Sequence, residues 1–142
     1  MWEAGIAPEF YDSSLTKKQD VWEGLISTQK LLNAHEYRKI VEKNQRLFVS
    51  KVHQKIRRMH TLDICHADLE VSNIVMANNV IDPRGNENFD IFFIDWDFSF
   101  NVSTISSKII NFFEFDPNSD MASQCFDHDM NQFNDSFERY IK

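Results

Sequence analysis

Around Thr61-Leu62-Asp63 the apolar pattern of this 142-residue chain changes period. Before the break, Phe48, Val52, Ile56 and Met59 recur at steps of four, four and three, the spacing of one helix face. A helix is therefore expected from about Asn44 to Met59, with Lys51, Lys55, Arg57 and Arg58 off the apolar stripe. After the break the apolar residues come in short runs. Ile74-Val75-Met76 and Ile91-Phe92-Phe93-Ile94 are rich in the β-branched and aromatic side chains that buried strands favour. Between them stands Asp82-Pro83-Arg84-Gly85-Asn86, where Pro presets φ and Gly permits positive φ, so residues 74–94 are expected to form a strand–loop–strand hairpin. A chain that switches period in this way packs helices against a small sheet, and the fold class expected is α+β, mainly helical.

The other elements carry weaker signals. Pro8 and Asp12-Ser13-Ser14 read as loop or turn, and Val21–Thr28 as a short strand. Gln29 to about Val41 lacks Gly and Pro and is rich in Leu, Lys and Glu, which predicts a helix. Residues 98–126 mix Ser, Asn and Phe with little period. A last helix is expected from about His128 to Ile141, where Met130, Phe133, Phe137 and Ile141 follow steps of three, four and four.

Composition narrows the function. Fifteen Lys and Arg face 22 Asp and Glu, a net charge of −7, and the imbalance is uneven. Residues 1–62 hold 11 basic against 7 acidic side chains (+4), and residues 63–142 hold 4 against 15 (−11). An acidic half of that size repels a polyanion, so nucleic acid is not the expected partner, whereas the same carboxylates suit a hard divalent cation. No run of 18 uncharged apolar residues exists, so no membrane-spanning helix is expected, and MWEAGIAPEFYDSS lacks the basic start of a signal peptide. Two cysteines, Cys65 and Cys125, are too few to staple a secreted fold. The expectation is a cytoplasmic protein without a membrane partner.

Two polar clusters interrupt the apolar stretches. Cys65-His66-Ala67-Asp68-Leu69-Glu70-Val71-Ser72-Asn73 leads into the first strand of the hairpin, and Asp95-Trp96-Asp97 follows the second. A hairpin returns its second strand beside its first, which brings Asn73 near Asp95. A carboxamide oxygen and a carboxylate meeting there are both hard ligands suited to Mg²⁺. Asp68, on an extended loop, can face the same space as a proton acceptor. A base beside a metal site is what phosphoryl transfer to a hydroxyl requires.

At these residues the sequence resembles the protein-kinase superfamily. Ile64-Cys65-His66-Ala67-Asp68-Leu69-Glu70-Val71-Ser72-Asn73-Ile74-Val75 is similar to its catalytic loop, H-x-D-L-x-x-x-N-I. Ile94-Asp95-Trp96-Asp97 is similar to its metal-binding D-F-G motif, in the form found in aminoglycoside phosphotransferase-like and fungal kinase-like members. The helix running through Val52–His60 resembles the one that precedes the catalytic loop, and His128-Asp129-Met130 resembles the buried helix whose Asp braces that loop. Gly5-Ile6-Ala7-Pro8-Glu9-Phe10-Tyr11 resembles the approach to the inter-lobe region. The resemblance implies the large C-terminal lobe of a kinase-like fold, one partial domain over 1–142, with residues 1–28 as inter-lobe segment and 29–142 as lobe core. It implies an ATP- and Mg²⁺-dependent phosphotransferase with Asp68 as base, His66 holding the loop, and Asn73 and Asp95 on the metal that bridges the nucleotide phosphates. Asp97 stands in place of the motif's glycine, where a second carboxylate either joins the metal or points away. The acceptor implied is a hydroxyl on a protein or a small molecule.

The pattern also departs from that family. Ala67 stands where protein kinases commonly have Arg, and Glu70 where they have the loop Lys used on the transferred phosphate. Both changes favour an atypical kinase. The three glycines, Gly5, Gly24 and Gly85, form no glycine-rich loop, so the ATP-covering lobe is expected to be missing from this chain. That absence supports the alternative of a non-catalytic, pseudokinase-like binding or scaffolding module, or a truncated product. Asp95-Trp96-Asp97 is also the D-x-D of sugar-nucleotide transferases, but the α/β unit that class needs before it is not expected here, and His128-Asp129 lacks the further ligands of a metal phosphohydrolase. Read singly, His66 is expected to be a structural hydrogen-bonding residue, His53 and His60 to lie on a helix surface, and Cys65 to be a small buried side chain. The Phe-rich stretch 89–115 is expected to be core.

Overall fold

The computed structural model describes residues 6–7, 10–28, 30–81, 83–85 and 87–142. Gly5, Pro8 and Glu9 of the expected inter-lobe motif, and Asp82 and Asn86 of the hairpin turn, lie outside the described residues.

Two strands, β1 (Phe10–Lys18) and β2 (Val21–Thr28), open the chain as an antiparallel pair, with Lys18 opposite Val21. β1 corrects the expectation of a loop at Asp12–Ser14. Residues 13–18 of this strand are all exposed, so that stretch carries no alternation of buried and exposed positions by which the sequence could announce it. The turn is carried by Gln19 at φ 55, the positive φ that tight hairpin turns demand.

Helix α1 spans Ala34–Lys43, later than the expected start near Gln29. The reason is a capping box: Asn33 Oδ1 accepts the Glu36 N–H at 3.0 Å, and Glu36 Oε2 accepts the Asn33 N–H at 3.3 Å. Helix α2 spans Gln45–Thr61 and buries Phe48, Val52, Ile56 and Met59, the expected stripe. Strand β3 (Ile64–Cys65) follows and pairs with β6 (Phe100–Asn101). A short 3-10 turn at Val71–Asn73 leads into the hairpin of β4 (Ile74–Ile81) and β5 (Glu87–Phe93), with Ile74 opposite Phe93 and Met76 opposite Ile91.

Residues 98–126 resolve into β6, a 3-10 turn at Val102–Thr104, a short helix α3 (Ser107–Phe112) and the first turns of α4. Helix α4 runs from Met121 to Ile141, two turns earlier than the expected start at His128. Asp120 caps it by accepting the Ser123 N–H at 3.2 Å.

The main core joins α1, α2, α4 and the hairpin: Val41, Phe48, Val52, Ile56, Met59, Met76, Phe89, Phe93 and Phe133 are buried together. Phe48 and Phe137 pack ring to ring at 5.7 Å between α2 and α4, as do Phe133 and Phe137 along α4. A smaller cluster gathers Cys65, Ala67, Val102 and Cys125, with Phe100, Phe113 and Phe115 against it. The expectation that the Phe-rich stretch is core holds for Phe89, Phe92 and Phe93, whereas Phe98 and Phe112 are exposed. Together these two clusters leave one loop, from Cys65 to Asn73, clamped between α4 and the hairpin.

Candidate active site

Between β3 and the 3-10 turn the chain is irregular and largely buried, so its backbone N–H groups must find partners outside any ladder. Helix α4 supplies them. The fully buried Asp129 accepts the His66 N–H on Oδ2 at 3.0 Å and the Ala67 N–H on Oδ1 at 2.9 Å. Gln132 Oε1 accepts the Leu69 N–H at 2.8 Å, and Ser136 Oγ accepts the Val71 N–H at 3.0 Å. His60 Nε2 reaches Asp129 Oδ2 at 2.9 Å, so one carboxylate ties α2, α4 and the loop together. This is the bracing role expected of Asp129. It corrects the expectation for His60, whose side chain is only 10% exposed. His53 is half-buried rather than on the surface, 3.1 Å from Asn134 Oδ1 and edge-on to Phe133.

His66 is fully buried and links the two polar clusters. Its Nδ1 accepts the Asp68 N–H at 3.3 Å, and its Nε2 lies 2.9 Å from the Ile94 carbonyl. Since Nδ1 is accepting and a carbonyl can only accept, the proton sits on Nε2 and the ring is neutral. Burial pushes its pKa below the ordinary imidazole value, against the opposing pull of the Ile94 carbonyl and of Asp129, Asp68 and Asp95. The ring packs on Trp96 at 4.6 Å, and Trp96 Nε1 donates to the Phe93 carbonyl at 3.1 Å. Both nitrogens of His66 are thus committed to the backbone.

Asp68 and Asn73 meet directly. Asn73 Nδ2 donates to the Asp68 carbonyl at 2.7 Å and to its Oδ2 at 3.3 Å, while Gln132 Nε2 donates to Oδ1 at 3.3 Å. The Ile94 N–H donates to the Asn73 carbonyl at 2.9 Å, so the residue before Asp95 is fastened to Asn73 as the hairpin register dictates. Asp95 is exposed and sits at φ 60, and Ala67 at φ 70. Two non-glycine residues in the left-handed region, one on each loop, cost of order 1 kcal/mol or more each, and such strain gathers at functional sites. Asp97 lies exposed in the turn that follows.

The donor set fits a magnesium ion held with phosphate. Among the described residues no group of three His, Cys, Asp or Glu side chains gathers as a metal cluster. Mg²⁺ does not require one, because it commonly takes one or two protein oxygens and fills its octahedron with water and substrate phosphates. Asn73 spends its amide nitrogen on Asp68, which leaves Oδ1 as a hard donor.

Glu70, in the position of the expected cation, has its Oε1 3.6 Å from Arg139. Beside the loop opens a cavity of about 460 Å³ lined by Leu32, Tyr37, Val71, Ser72, Ile74, Val75 and Tyr140 among others. A larger open groove of about 540 Å³, with Arg46, Arg57 and Phe137 on its walls, carries no residue of either loop. Cys65 is buried, and its contact with the Cys125 side chain, together with burial, pushes its thiol well above the ordinary range.

Gln132, Ser136 and His60 are the site residues that sequence reasoning passed over. A signal for one of them existed: Ser136, like Asp129, is a polar position on the same stripe of α4 that buries Cys125, Phe133 and Phe137. A polar residue on a buried stripe needs a partner in the loop it faces.

The sequence model of the lipopolysaccharide kinase (Kdo/WaaP) family matches residues 10–108, a span that holds both loops and the hairpin. A solved structure of WaaP in complex with acyl carrier protein is similar over 95% of this chain, with a TM-score of 0.53 and 13% sequence identity. At that identity the likeness is one of fold, and the fold is protein-kinase-like. This chain covers 53% of that one, about half of its length. No curated protein matches it.

Proposed function

The chain belongs to the lipopolysaccharide kinase (Kdo/WaaP) family, and from that premise we propose that it moves the γ-phosphate of ATP to a hydroxyl on a lipopolysaccharide sugar, with Mg²⁺ as cofactor. The observation that carries the reading is the pairing of Asp68 with Asn73 beside the strand end that leads into Asp95.

In this reading Asp68 takes the proton of the attacking hydroxyl as that oxygen bonds to the γ-phosphorus. The bond from phosphorus to the β–γ bridging oxygen breaks, and ADP leaves with the electron pair. Asn73 Oδ1 and the Asp95 carboxylate would hold the ion, with Asp97 as a further oxygen donor on the same loop, and the metal would supply neutralisation of the charge that develops on the phosphates. His66 does no proton transfer; it keeps the two loops in register through Ile94 and Asp68. The apolar cavity beside Ser72 and Val75 offers a surface for the purine. No helix among the described residues is long and apolar enough to cross a membrane.

A second reading, a kinase-like module that binds without transferring phosphate, is favoured by one observation. Glu70 places a carboxylate where the resemblance expects a phosphate-handling cation, and Arg139 reaches it only through an exposed contact of 3.6 Å. Transfer from γ-labelled ATP to purified lipopolysaccharide in the presence of Mg²⁺ separates the two. The phosphotransfer reading expects labelled acceptor, and a drop of roughly 10²-fold or more in kcat for Asp68→Asn, the usual contribution of a general base. Nucleotide binding without any labelled product supports the binding module, and equal rates for Asp68→Asn and wild type remove Asp68 from the chemistry.

A further inference from the structure

Helix α4 presents Asp129, Gln132, Ser136 and Arg139 to the catalytic loop at steps of three, four and three, a single stripe of the helix. Asp129 and Ser136 serve backbone N–H groups, and Arg139 pairs with Glu70. Gln132 differs, because one of its polar atoms meets a backbone N–H of the loop and the other meets a loop side chain. Oε1 accepts the Leu69 N–H at 2.8 Å, and Nε2 lies 3.3 Å from Asp68 Oδ1. A backbone N–H can only donate, so the oxygen of the amide must face Leu69. That leaves the NH₂ group facing the Asp68 carboxylate, with no freedom to flip.

The other carboxylate oxygen, Oδ2, accepts from Asn73 Nδ2, also at 3.3 Å. Each oxygen of Asp68 therefore meets one neutral amide donor, and the two donors come from different elements, α4 and the turn before β4. A carboxylate gripped at both oxygens cannot rotate about its Cβ–Cγ bond without losing both hydrogen bonds. Among the described residues no Lys or Arg pairs with Asp68, and Glu70, the loop position where the resemblance expects a cation, is turned to Arg139. Gln132 is half-buried and anchored by the shorter of its two bonds, so it is the fixed member of the pair.

We infer that Gln132 is a positioning residue for the general base: it fixes the plane of the Asp68 carboxylate so that one oxygen is presented to the acceptor hydroxyl. The inference rests on the phosphotransfer reading for its catalytic consequence, but the contact itself can be examined without turnover.

Two substitutions separate positioning from mere support of the loop. Gln132→Glu keeps an acceptor for the Leu69 N–H and turns an oxygen, in place of the NH₂ group, toward Asp68. Gln132→Met removes both bonds at nearly constant volume. With lipopolysaccharide as acceptor, Gln132→Glu is expected to lower kcat about 10- to 100-fold, the cost of misplacing a reacting group by a fraction of an ångström to one ångström, with KM for ATP within about twofold. A Gln132→Glu variant with the kcat of wild type overturns the inference, since loop support alone survives that change. The turnover-free arm uses ¹⁵N-labelled full chain. The Gln132 side-chain amide, assigned by its disappearance in Gln132→Met, is expected to carry one slowly exchanging, downfield-shifted proton that moves upfield in Asp68→Ala. An amide resonance unmoved in Asp68→Ala overturns the inference equally. If wild type transfers no phosphate, the phosphotransfer reading falls while the amide resonance still decides whether Gln132 holds Asp68.

Discussion

Replacing one buried oxygen by an NH₂ group tests how the catalytic loop is held. Asp129 is fully buried and receives three donors: the His66 N–H at 3.0 Å and His60 Nε2 at 2.9 Å on Oδ2, and the Ala67 N–H at 2.9 Å on Oδ1. Asp129→Asn offers one acceptor oxygen and one donor group in the same space. With the oxygen on the Oδ2 side, the Ala67 N–H faces the new NH₂. With the amide flipped, the His66 N–H does. Either way one buried backbone donor is orphaned, at about 1–3 kcal/mol, and the surviving bonds weaken by up to about 1 kcal/mol together as the charged acceptor becomes neutral. The expected loss is about 1–4 kcal/mol, a sizeable share of the roughly 5–15 kcal/mol that holds a typical domain together. Urea unfolding followed by circular dichroism reads it as a lower midpoint with an unchanged m-value. Asp127→Asn, exposed on the same helix, serves as control and should stay within about 0.5 kcal/mol of wild type. A loss below about 1 kcal/mol for Asp129→Asn would show that the loop does not hang from this carboxylate.

The pH dependence of stability follows from His66. Burial holds its folded pKa below the ordinary imidazole value, so the unfolded chain binds the proton more readily and unfolding free energy rises with pH in that window. The contribution is complete above pH ~6.5 and is lost as pH falls below it. His66→Gln should therefore differ from wild type by an amount that shrinks between pH 7 and pH 5.5, and a pH-independent difference would contradict the neutral ring. In the core, Phe48 is fully buried between α2 and α4 and packs against Tyr37, Phe133 and Phe137. Phe48→Ala should cost about 3–5 kcal/mol in the same urea experiment, and a cost under about 1 kcal/mol would mean that the two helices are not packed as described.

What the sequence disclosed and what it hid have separate physical origins. Helix α2 and the β4–β5 hairpin were legible because each buries one face. Burial writes a period into the residues, as at Phe48, Val52, Ile56 and Met59, or Ile74 and Met76 against Ile91 and Phe93. Strand β1 was not, because Ser13, Ser14, Leu15, Thr16, Lys17 and Lys18 are all exposed and its register is set by β2 alone. The early turns of α4 hid for another reason. Ser123 and Gln124 spend their side chains on Asp120 and Asp116, cap and turn chemistry that blurs the apolar period until Cys125 and Asp129. At the site, Asp68, Asn73 and Asp95 could be placed from the loop pattern and the hairpin. The contacts that hold them, His60 to Asp129 and Gln132 to Asp68, join residues more than sixty positions apart, and no local pattern encodes a pairing at that distance.

The central claim is that Asn73 and Asp95, brought together by the hairpin, hold a magnesium ion against nucleotide phosphates. Calorimetric titration of the full chain with ATP, with Mg²⁺ and with EDTA, tests it most directly. The account predicts binding that requires Mg²⁺ and that falls at least about tenfold in Asp95→Asn, from the loss of a charged metal ligand, while the unfolding midpoint of this exposed position stays unchanged. Equal affinity with and without the metal, or an Asp95→Asn isotherm that overlays that of wild type, would contradict it.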